Sequence, residues 1–449
     1  MKIIIVGAGK VGFVLAYMLS NENHDVTVVE RDEERMLTVE ERLDVDTVLG
    51  SCTSTTVLRK AGIADADMVL AVTERDELNI VSCFIAKSFG VKTTIARVRS
   101  PEFVDLDSET LKKSLGIDMI INPERVAATQ ICKMLNYPDA INVDFYNHGR
   151  VLLLEFKILD TTVVVGKKLK DIKSNHAYLI VGILRSGKMI IPNGNDTIMK
   201  NDRLFLITST EHMEEVGHDF GQSRKKAKSI IIVGGETISY YLASELEKQG
   251  LNIKIFEEDY EKCKTLANTL DDSLIIHGNA SDIQLLKDEN IEETDAYIAV
   301  TDEDNFNILS AVIAKELGAK RTIVQLKMSD FMPIVDRIGI DQSFSPRLLA
   351  AGNILRYVRT SNVLSLTLLG DTSAHAIEIE APKQSSILNT SLTELNFPEN
   401  TILGTIMRNN EVIIPKGNDV ILPGDRLIVI TLPQTSKAVE KFFEEKQQL

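Results

Sequence analysis

The sequence predicts an α/β protein made of two tandem copies of one unit, each a doubly wound parallel sheet domain followed by a small α+β domain. Three observations predict it: a long internal repeat, short β-branched runs alternating with amphipathic helical stretches, and a glycine turn set between the first strand and the first helix. The repeat is read directly. Ile3-Ile4-Ile5-Val6-Gly7 recurs as Ile230-Ile231-Ile232-Val233-Gly234, 227 positions on. Ala71-Val72-Thr73 recurs as Ala299-Val300-Thr301, and Asp76, Asn79, Ile80, Ser82, Ile85, Ala86 and Lys87 all meet the same residue 228 positions later. Past Phe103 the offset falls to 223 and holds through Ile190-Ile191-Pro192 and Ile413-Ile414-Pro415. Each half therefore repeats from end to end.

Within the first half the strand candidates are residues 2–6, 25–30, 47–49, 68–72 and 93–98. The helix after the first strand carries Val11, Val14, Leu15, Met18 and Leu19, an i, i+3, i+4, i+7, i+8 stripe that lies on a sheet. Strands alternating with helices of this kind form a parallel sheet. A Pro-opened helix closes each sheet domain, at 123–135 and 346–358. Its apolar stripe, ending in Met134 and Leu135 or in Leu355 and Val358, is either a core face or a face turned toward another subunit. The pattern then changes to strand-like runs at 151–158, 178–185, 188–191 and 203–207, punctuated by Ser186-Gly187 and Asn193-Gly194, which reads as a small α+β domain. The resulting boundaries are 1–136 and 228–359 for the sheet domains and 140–218 and 363–449 for the small ones. The basic stretch 222–228 between the halves reads as a solvated linker.

Composition excludes several classes. The 449 residues fit several domains better than one core. A formal charge of −15 repels nucleic acid and anionic lipid. No apolar run approaches the roughly 20 residues of a membrane-spanning helix, and the N-terminus enters a strand with no export signal before it. The 4 cysteines, Cys52, Cys83, Cys132 and Cys263, lack C-x-x-C spacing and the 7 histidines lack H-x-x-x-H, so neither a metal site nor a disulfide framework is expected. The cytoplasm is the expected compartment.

The chemical signal is Gly7-Ala8-Gly9-Lys10-Val11-Gly12, directly after a strand and opening an amphipathic helix, with Glu30 closing the second strand. Gly7 permits the turn, Gly9 lets the backbone approach a pyrophosphate, and Gly12 allows close helix contact, while the helix N-terminus attracts phosphate. Glu30 is placed for the ribose hydroxyls and against a 2′-phosphate, which favours NAD(H) or an adenine ribonucleotide, with Arg31 pulling the other way. The alternative is a tight turn with no ligand. In the second copy Gly234 and Glu257 persist, but Glu236 and Ser239 replace the second and third glycines, so that pocket is expected to be degenerate for a dinucleotide. Cys52 and Thr53 follow the third strand, and Thr73 and Arg97 end the fourth and fifth, at the edge where open parallel sheets bind ligands. Cys52 reads as a packing residue rather than a nucleophile. No proton-moving His or Lys, no G-x-S-x-G and no P-loop is present, so no catalytic residue is assigned.

These features together resemble the TrkA family of Trk potassium uptake regulatory subunits, chains of two tandem RCK (KTN) units. The resemblance rests on the segment from Ile3 to Gly12, Glu30, Gly50-Ser51-Cys52-Thr53, Ala71-Val72-Thr73 with Asp76 and Asn79, Ala96-Arg97-Val98-Arg99, and the pair Asn201-Asp202-Arg203-Leu204 and Gly424-Asp425-Arg426-Leu427. It implies Rossmann-like sheet domains, each with an RCK C-terminal domain, in a non-enzymatic gating ring. That ring would be a homotetramer at the inner face of the membrane, on a Trk-type potassium-translocating protein, responding to NAD(H) and ATP or ADP. The nucleotide contacts it implies fall on Gly7, Gly9, Lys10, Val11, Gly12, Glu30, Cys52, Thr73 and Arg97. Arg31, Thr53, Gly234 and Glu257 complete the candidate set. The alternatives are an NAD-dependent oxidoreductase and an interaction scaffold that binds no nucleotide.

Overall fold

The computed structural model describes the chain apart from residues 22–23, 101–113, 138–139, 160–161, 173–177, 221–225, 329–330, 359–362, 370–373, 386 and 444–449. Most of the expected 222–228 linker thus lies outside the described residues. The chain forms two bodies, one of Met1–Cys132 with Lys228–Leu355, the other of Lys133–Ala227 with Arg356–Leu449.

In the first body the first repeat runs β1 Lys2–Val6, α1 Lys10–Asn21, β2 Asp25–Glu30, α2 Glu33–Arg42, β3 Asp46–Leu49, α3 Thr55–Lys60, β4 Met68–Ala71, α4 Asp76–Ser88, β5 Thr93–Arg97, β6 Met119–Ile121 and α5 Pro123–Asn136. Its six parallel strands stand in the order β3-β2-β1-β4-β5-β6. The order reverses between β1 and β4, and that reversal opens the crevice in which such sheets hold ligands. β1 is buried on both faces, from Ile3 through Val6, which is why its sequence is continuously aliphatic rather than alternating. The sixth strand is too short to stand out in the sequence: only three residues of β6 pair with β5.

The first small domain contains β7 Asn142–Tyr146, β8 Val151–Lys157, β9 Tyr178–Arg185, β10 Lys188–Ile190, β11 Arg203–Ser209 and α6 Met213–Phe220. The second repeat of the sheet body follows as β12 Ser229–Val233, α7 Thr237–Glu247, β13 Asn252–Glu257, α8 Tyr260–Thr269, β14 Leu274–His277, α9 Ile283–Asp288, β15 Ala296–Ala299, α10 Asp304–Glu316, β16 Thr322–Gln325, α11 Met332–Arg337, β17 Gln342–Phe344 and α12 Pro346–Val358. Its strand order, β14-β13-β12-β15-β16-β17, copies the first. The second small domain has β18 Val363–Leu368, β19 His375–Glu380, β20 Thr401–Arg408, β21 Glu411–Ile413, β22 Arg426–Thr431 and α13 Pro433–Phe442.

The small domains explain a motif that the sequence left without a reason. Asn201 and Gly424 occupy the same place in the two copies and both adopt positive φ, 65° and 79°, a conformation that glycine and asparagine reach most readily. The next residue is a buried aspartate. Asp202 receives two bonds from the Arg185 guanidinium, at 2.8 and 2.7 Å, and one from the Met199 amide at 2.7 Å. Asp425 is held in the same way by Arg408 and the Leu422 amide. Each forked pair ties the last strand of its sheet to the hairpin beside it.

The two small sheets share one core. Leu153, Val181, Phe205 and Ile207 from the first pack with Ala376, Met407, Ile428 and Ile430 from the second, and a Cβ on Gly404 would collide with the Ile207 side chain. The apolar stripe of α5 and α12 is also covered within the chain: Ile131, Met134, Leu135, Ile354 and Leu355 are all buried. The expectation that Met134, Leu135 and Leu355 present a free face to another subunit is corrected by that burial, and the Val358 side chain lies outside the described residues. The outward faces of α4 and α10 instead expose Val81, Phe84 and Leu309. Among the described residues no helix is long and apolar enough to cross a membrane.

Because Ile207 is fully buried in the core common to both small domains, Ile207→Ala should cost about 2–5 kcal/mol. The loss should appear in calorimetry as a lowered transition for both small domains together. A shift confined to the first one would show that they do not share a core.

Candidate functional site

The cleft of the first repeat is assembled from the carboxyl ends of β1, β2, β4 and β5. Gly7 has φ 101°, and a side chain there would press on the Thr73 backbone and methyl group at 3.1 Å. Its amide donates to the Val29 carbonyl at 2.8 Å, so the turn is tied to β2 as it crosses β4. A Cβ on Gly12 would collide with the Gly7 carbonyl oxygen. Both glycines are thus required by the packing of this copy. Gly9 is different: it has no positive φ, and a Cβ there would meet nothing nearer than the Arg35 guanidinium at 3.7 Å and the Glu74 carboxylate at 4.0 Å. Val11 and Gly12 are buried and offer only backbone.

Glu30 is buried, and its carboxylate braces the turn. Oε2 accepts the Ala8 amide at 2.6 Å, while Oε1 accepts the amides of Arg31 and Asp32 at 2.8 and 3.1 Å. Two carboxylate oxygens offer about four acceptor positions, so with three in use Oε2 can still take one ribose hydroxyl. Arg31 is exposed at the rim. Cys52 is buried in the sheet's core cluster, and its carbonyl accepts the Ser82 hydroxyl at 3.4 Å. Thr53 shares a hydrogen bond with the Ser51 hydroxyl at 3.0 Å. Burial pushes the Cys83 and Cys132 thiols up to about 12, so neither is a thiolate near neutral pH.

A residue not assigned from the sequence organises the far side of the cleft. Asn79 of α4 is fully buried and uses all of its hydrogen-bonding capacity. Its Oδ1 accepts the Thr73 amide at 2.8 Å and the Thr73 hydroxyl at 2.7 Å, and its Nδ2 donates to the carbonyls of Thr73 at 3.1 Å and Arg97 at 2.8 Å. One side chain thereby fixes the ends of β4 and β5 together. Asn307 repeats the arrangement with Thr301 and Gln325. The signal was present in the sequence as an asparagine kept in both copies, but its geometry depends on three elements meeting. Arg97 lies mostly buried beside it, 3.5 Å from the Glu124 carboxylate, and burial lowers its pKa while Glu124 raises it. The Lys10 pKa is lowered first by Arg347, then by burial and by Lys327, against the raising effect of Asp302 and Asp304, so its ammonium lies among charges of the second repeat.

The second cleft keeps the scaffold and carries side chains at two of the turn's glycine positions. Gly234 has φ 105°, and Glu257 accepts the amides of Gly235 and Asp259 as Glu30 does in the first copy. Ser239 stands where Gly12 stands and donates its hydroxyl to the Gly234 carbonyl. Glu236, at the place of Gly9, carries a carboxylate paired with Lys262.

A duplicated sheet of this order with a glycine turn at its switch point defines a tandem dinucleotide-type Rossmann protein. The TrkA-N domain model matches residues 3–123 and 230–346, and the TrkA-C domain model matches 153–221 and 376–444. The chain is 33% identical to Trk system potassium uptake protein TrkA homolog 1 of Methanosarcina mazei, covering 99% of this chain and 100% of that one. It is likewise 33% identical to Trk system potassium uptake protein TrkA of Haemophilus influenzae, with 99% of each covered. The GsuK channel bound to NAD superposes with a TM-score of 0.61 at 17% identity, covering 98% of this chain and 78% of that one, a likeness of fold. The chain belongs to the TrkA family of Trk system potassium uptake proteins.

Removing Asn79 leaves the Thr73 amide and two strand-end carbonyls without their partner. Asn79→Ala should therefore destabilise the chain by about 1–3 kcal/mol for the groups left unpaired, measured by urea denaturation. An unchanged midpoint would mean that water replaces the side chain at no cost.

Proposed function

We propose that the chain is a non-enzymatic regulatory subunit. It gates a Trk-type potassium-translocating membrane protein from the cytosolic face, and it answers to nucleotide held in the first cleft. NAD(H) is the principal ligand, with ATP or ADP as the competing one, and four copies form the ring. The observation that supports ligand binding most directly is Gly9. In this copy a Cβ on Gly7 or Gly12 would strike the protein, although the second copy accommodates Ser239 at the place of Gly12, whereas a Cβ on Gly9 would meet nothing nearer than 3.7 Å. The second copy carries a glutamate on the same turn, which shows that the backbone tolerates one. A glycine that the chain does not require is explained by something that approaches from outside, and the pyrophosphate of a dinucleotide is the group that a β1–α1 turn presents to. The NAD of the GsuK channel structure, on the same fold, supports that reading. So does the family, whose curated members above are potassium uptake proteins.

Gating follows from differential affinity: a nucleotide shifts the subunit only insofar as it binds one conformation better than another. Ring assembly draws on apolar surface outside the core, which Val81, Phe84 and Leu309 provide. Glu30, with room for one ribose hydroxyl and a charge set against a 2′-phosphate, favours NADH over NADPH.

Gly9→Glu places the residue of the second cleft in the first, and the folded variant should lose NADH binding in calorimetric titration and nucleotide control of potassium uptake in reconstituted vesicles. Retained NADH affinity would refute the site.

Glu30→Gln keeps the side chain's size but sets an NH2 group against a backbone N–H and removes hydrogen bonds to a charged acceptor, typically worth about 1.5–3 kcal/mol each. It should weaken NADH binding and narrow the preference over NADPH. A wild-type chain that binds both equally would show that Arg31 sets the preference.

A further inference from the structure

The internal repeat identifies a residue that completes the first cleft. Arg35 and Lys262 occupy the same position in the two copies, in the first turns of α2 and α8, each held there by an aspartate cap. Asp32 accepts the Arg35 amide at 3.1 Å, and Asp259 accepts the amides of Glu261 and Lys262 at 2.8 and 3.2 Å. In the second copy the Lys262 ammonium grips the carboxylate of Glu236, the residue at Gly9's position. In the first copy that position has no side chain, and Arg35 reaches over Gly9 to Glu74 of the β4–α4 loop instead, at 3.3 Å. The acidic residue corresponding to Glu74 in the second copy, Asp302, is not needed there and pairs with Lys327 at 2.6 Å. The basic arm is thus present in both copies and takes an anion in both. Where the chain supplies an anion on the turn the arm holds it; where it does not, the arm rests on a carboxylate across the mouth.

Resting on the reading of the first cleft as a nucleotide site, we propose that Arg35 is its phosphate anchor and that Glu74 is the resting partner that phosphate displaces. Glu236 is in effect a built-in substitute for that phosphate in the second cleft. The exchange is favourable on simple grounds. Arg35 and Glu74 are 46% and 65% exposed, and an exposed pair of this kind is weakly held. A phosphate seated on the helix start offers two acceptor oxygens to the planar guanidinium fork and others to the backbone amides of the turn. The released Glu74 returns to solvent, where a carboxylate is well hydrated. A ligand lacking phosphate gains nothing from Arg35 and leaves the Arg35–Glu74 pair in place.

The test is calorimetric titration of the full chain with ADP, NADH, adenosine and inorganic phosphate. Arg35→Ala should weaken ADP and NADH binding by about tenfold or more, as expected for loss of a charge-assisted contact, and leave adenosine binding unchanged. Arg35→Lys should restore most of the loss, since the second copy holds its carboxylate with lysine. Glu74→Gln should tighten ADP binding severalfold, because the competitor for Arg35 is gone, a gain that a merely structural ion pair would not produce. Inorganic phosphate, without the nucleoside, should bind the wild type weakly and Arg35→Ala more weakly still. Wild-type ADP affinity in Arg35→Ala, equal losses for ADP and adenosine, or weakened ADP binding in Glu74→Gln would each overturn the anchor while leaving the nucleotide site standing. If Arg35→Ala does not fold, Arg35→Lys and Glu74→Gln decide by the same criteria. A wild-type chain that takes up neither ADP nor NADH overturns both readings.

Discussion

The contact on which the first cleft depends is the crossing of the Gly7 turn over the end of β4. With the Thr73 backbone 3.1 Å from the place of an absent Gly7 Cβ, neither strand end can move without the other. The crossing leaves peptide groups at the ends of β4 and β5 beyond the reach of the sheet ladder, and buried peptide groups must find partners. Asn79 supplies them from α4, and Glu30 supplies acceptors for the amides on the other side. Turn, two strand ends and one helix are thereby registered to a single point, and the cleft inherits its shape from that registration.

The duplication separates what the fold requires from what a ligand would require. Residues that satisfy the crossing are the same in both copies: Gly7 and Gly234, Glu30 and Glu257, Thr73 and Thr301, Asn79 and Asn307. Residues around the crossing have diverged. Gly9 corresponds to Glu236, Arg97 to Gln325, and Glu124 to Arg347. The Arg97–Glu124 pair of the first copy therefore has no counterpart in the second, where Arg347 donates to the Lys327 carbonyl instead, at 3.0 Å. Had the second cleft lost its scaffold, the divergence would be ordinary decay. With the scaffold intact, the divergence is selective.

Much of this was legible in the sequence because it rests on local rules. Continuous aliphatic runs marked the buried parallel strands, and β-branched runs with turn residues marked most of the small sheets. The glycine turn and Glu30 were recognisable from spacing alone. What escaped was set by contacts between distant segments. β6 and β17 have three residues each, and β7, Asn142–Tyr146, mixes polar and apolar residues; all three are recruited by neighbours already in place. The stripe on α5 reads the same whether it faces this chain or another, and only the fold shows it covered. Arg35 and Glu74 lie 39 positions apart, and nothing in either segment announces the other. Asn79 was visible as a repeated residue, but its role as a clamp emerges only where α4 passes two strand ends.

The division of the chain into a sheet body and a body of paired small domains bears on how a local event at the cleft could become a change in the whole subunit. Within the small-domain body the two copies share Ile207, Phe205, Ile428 and Ile430 in one core, and Arg150 of the first donates to the Asn410 carbonyl of the second at 2.7 Å. A packed core of this kind responds as a unit, because close-packed side chains transmit displacement rather than absorb it. The sheet body, by contrast, carries an ion pair at each turn, Lys262 with Glu236 of the turn itself in the second copy and Arg35 with Glu74 of a neighbouring loop in the first. Under the proposed function, an asymmetric pair of clefts would give a nucleotide a single place at which to favour one conformation over another, and a difference in affinity between conformations is all that a switch requires.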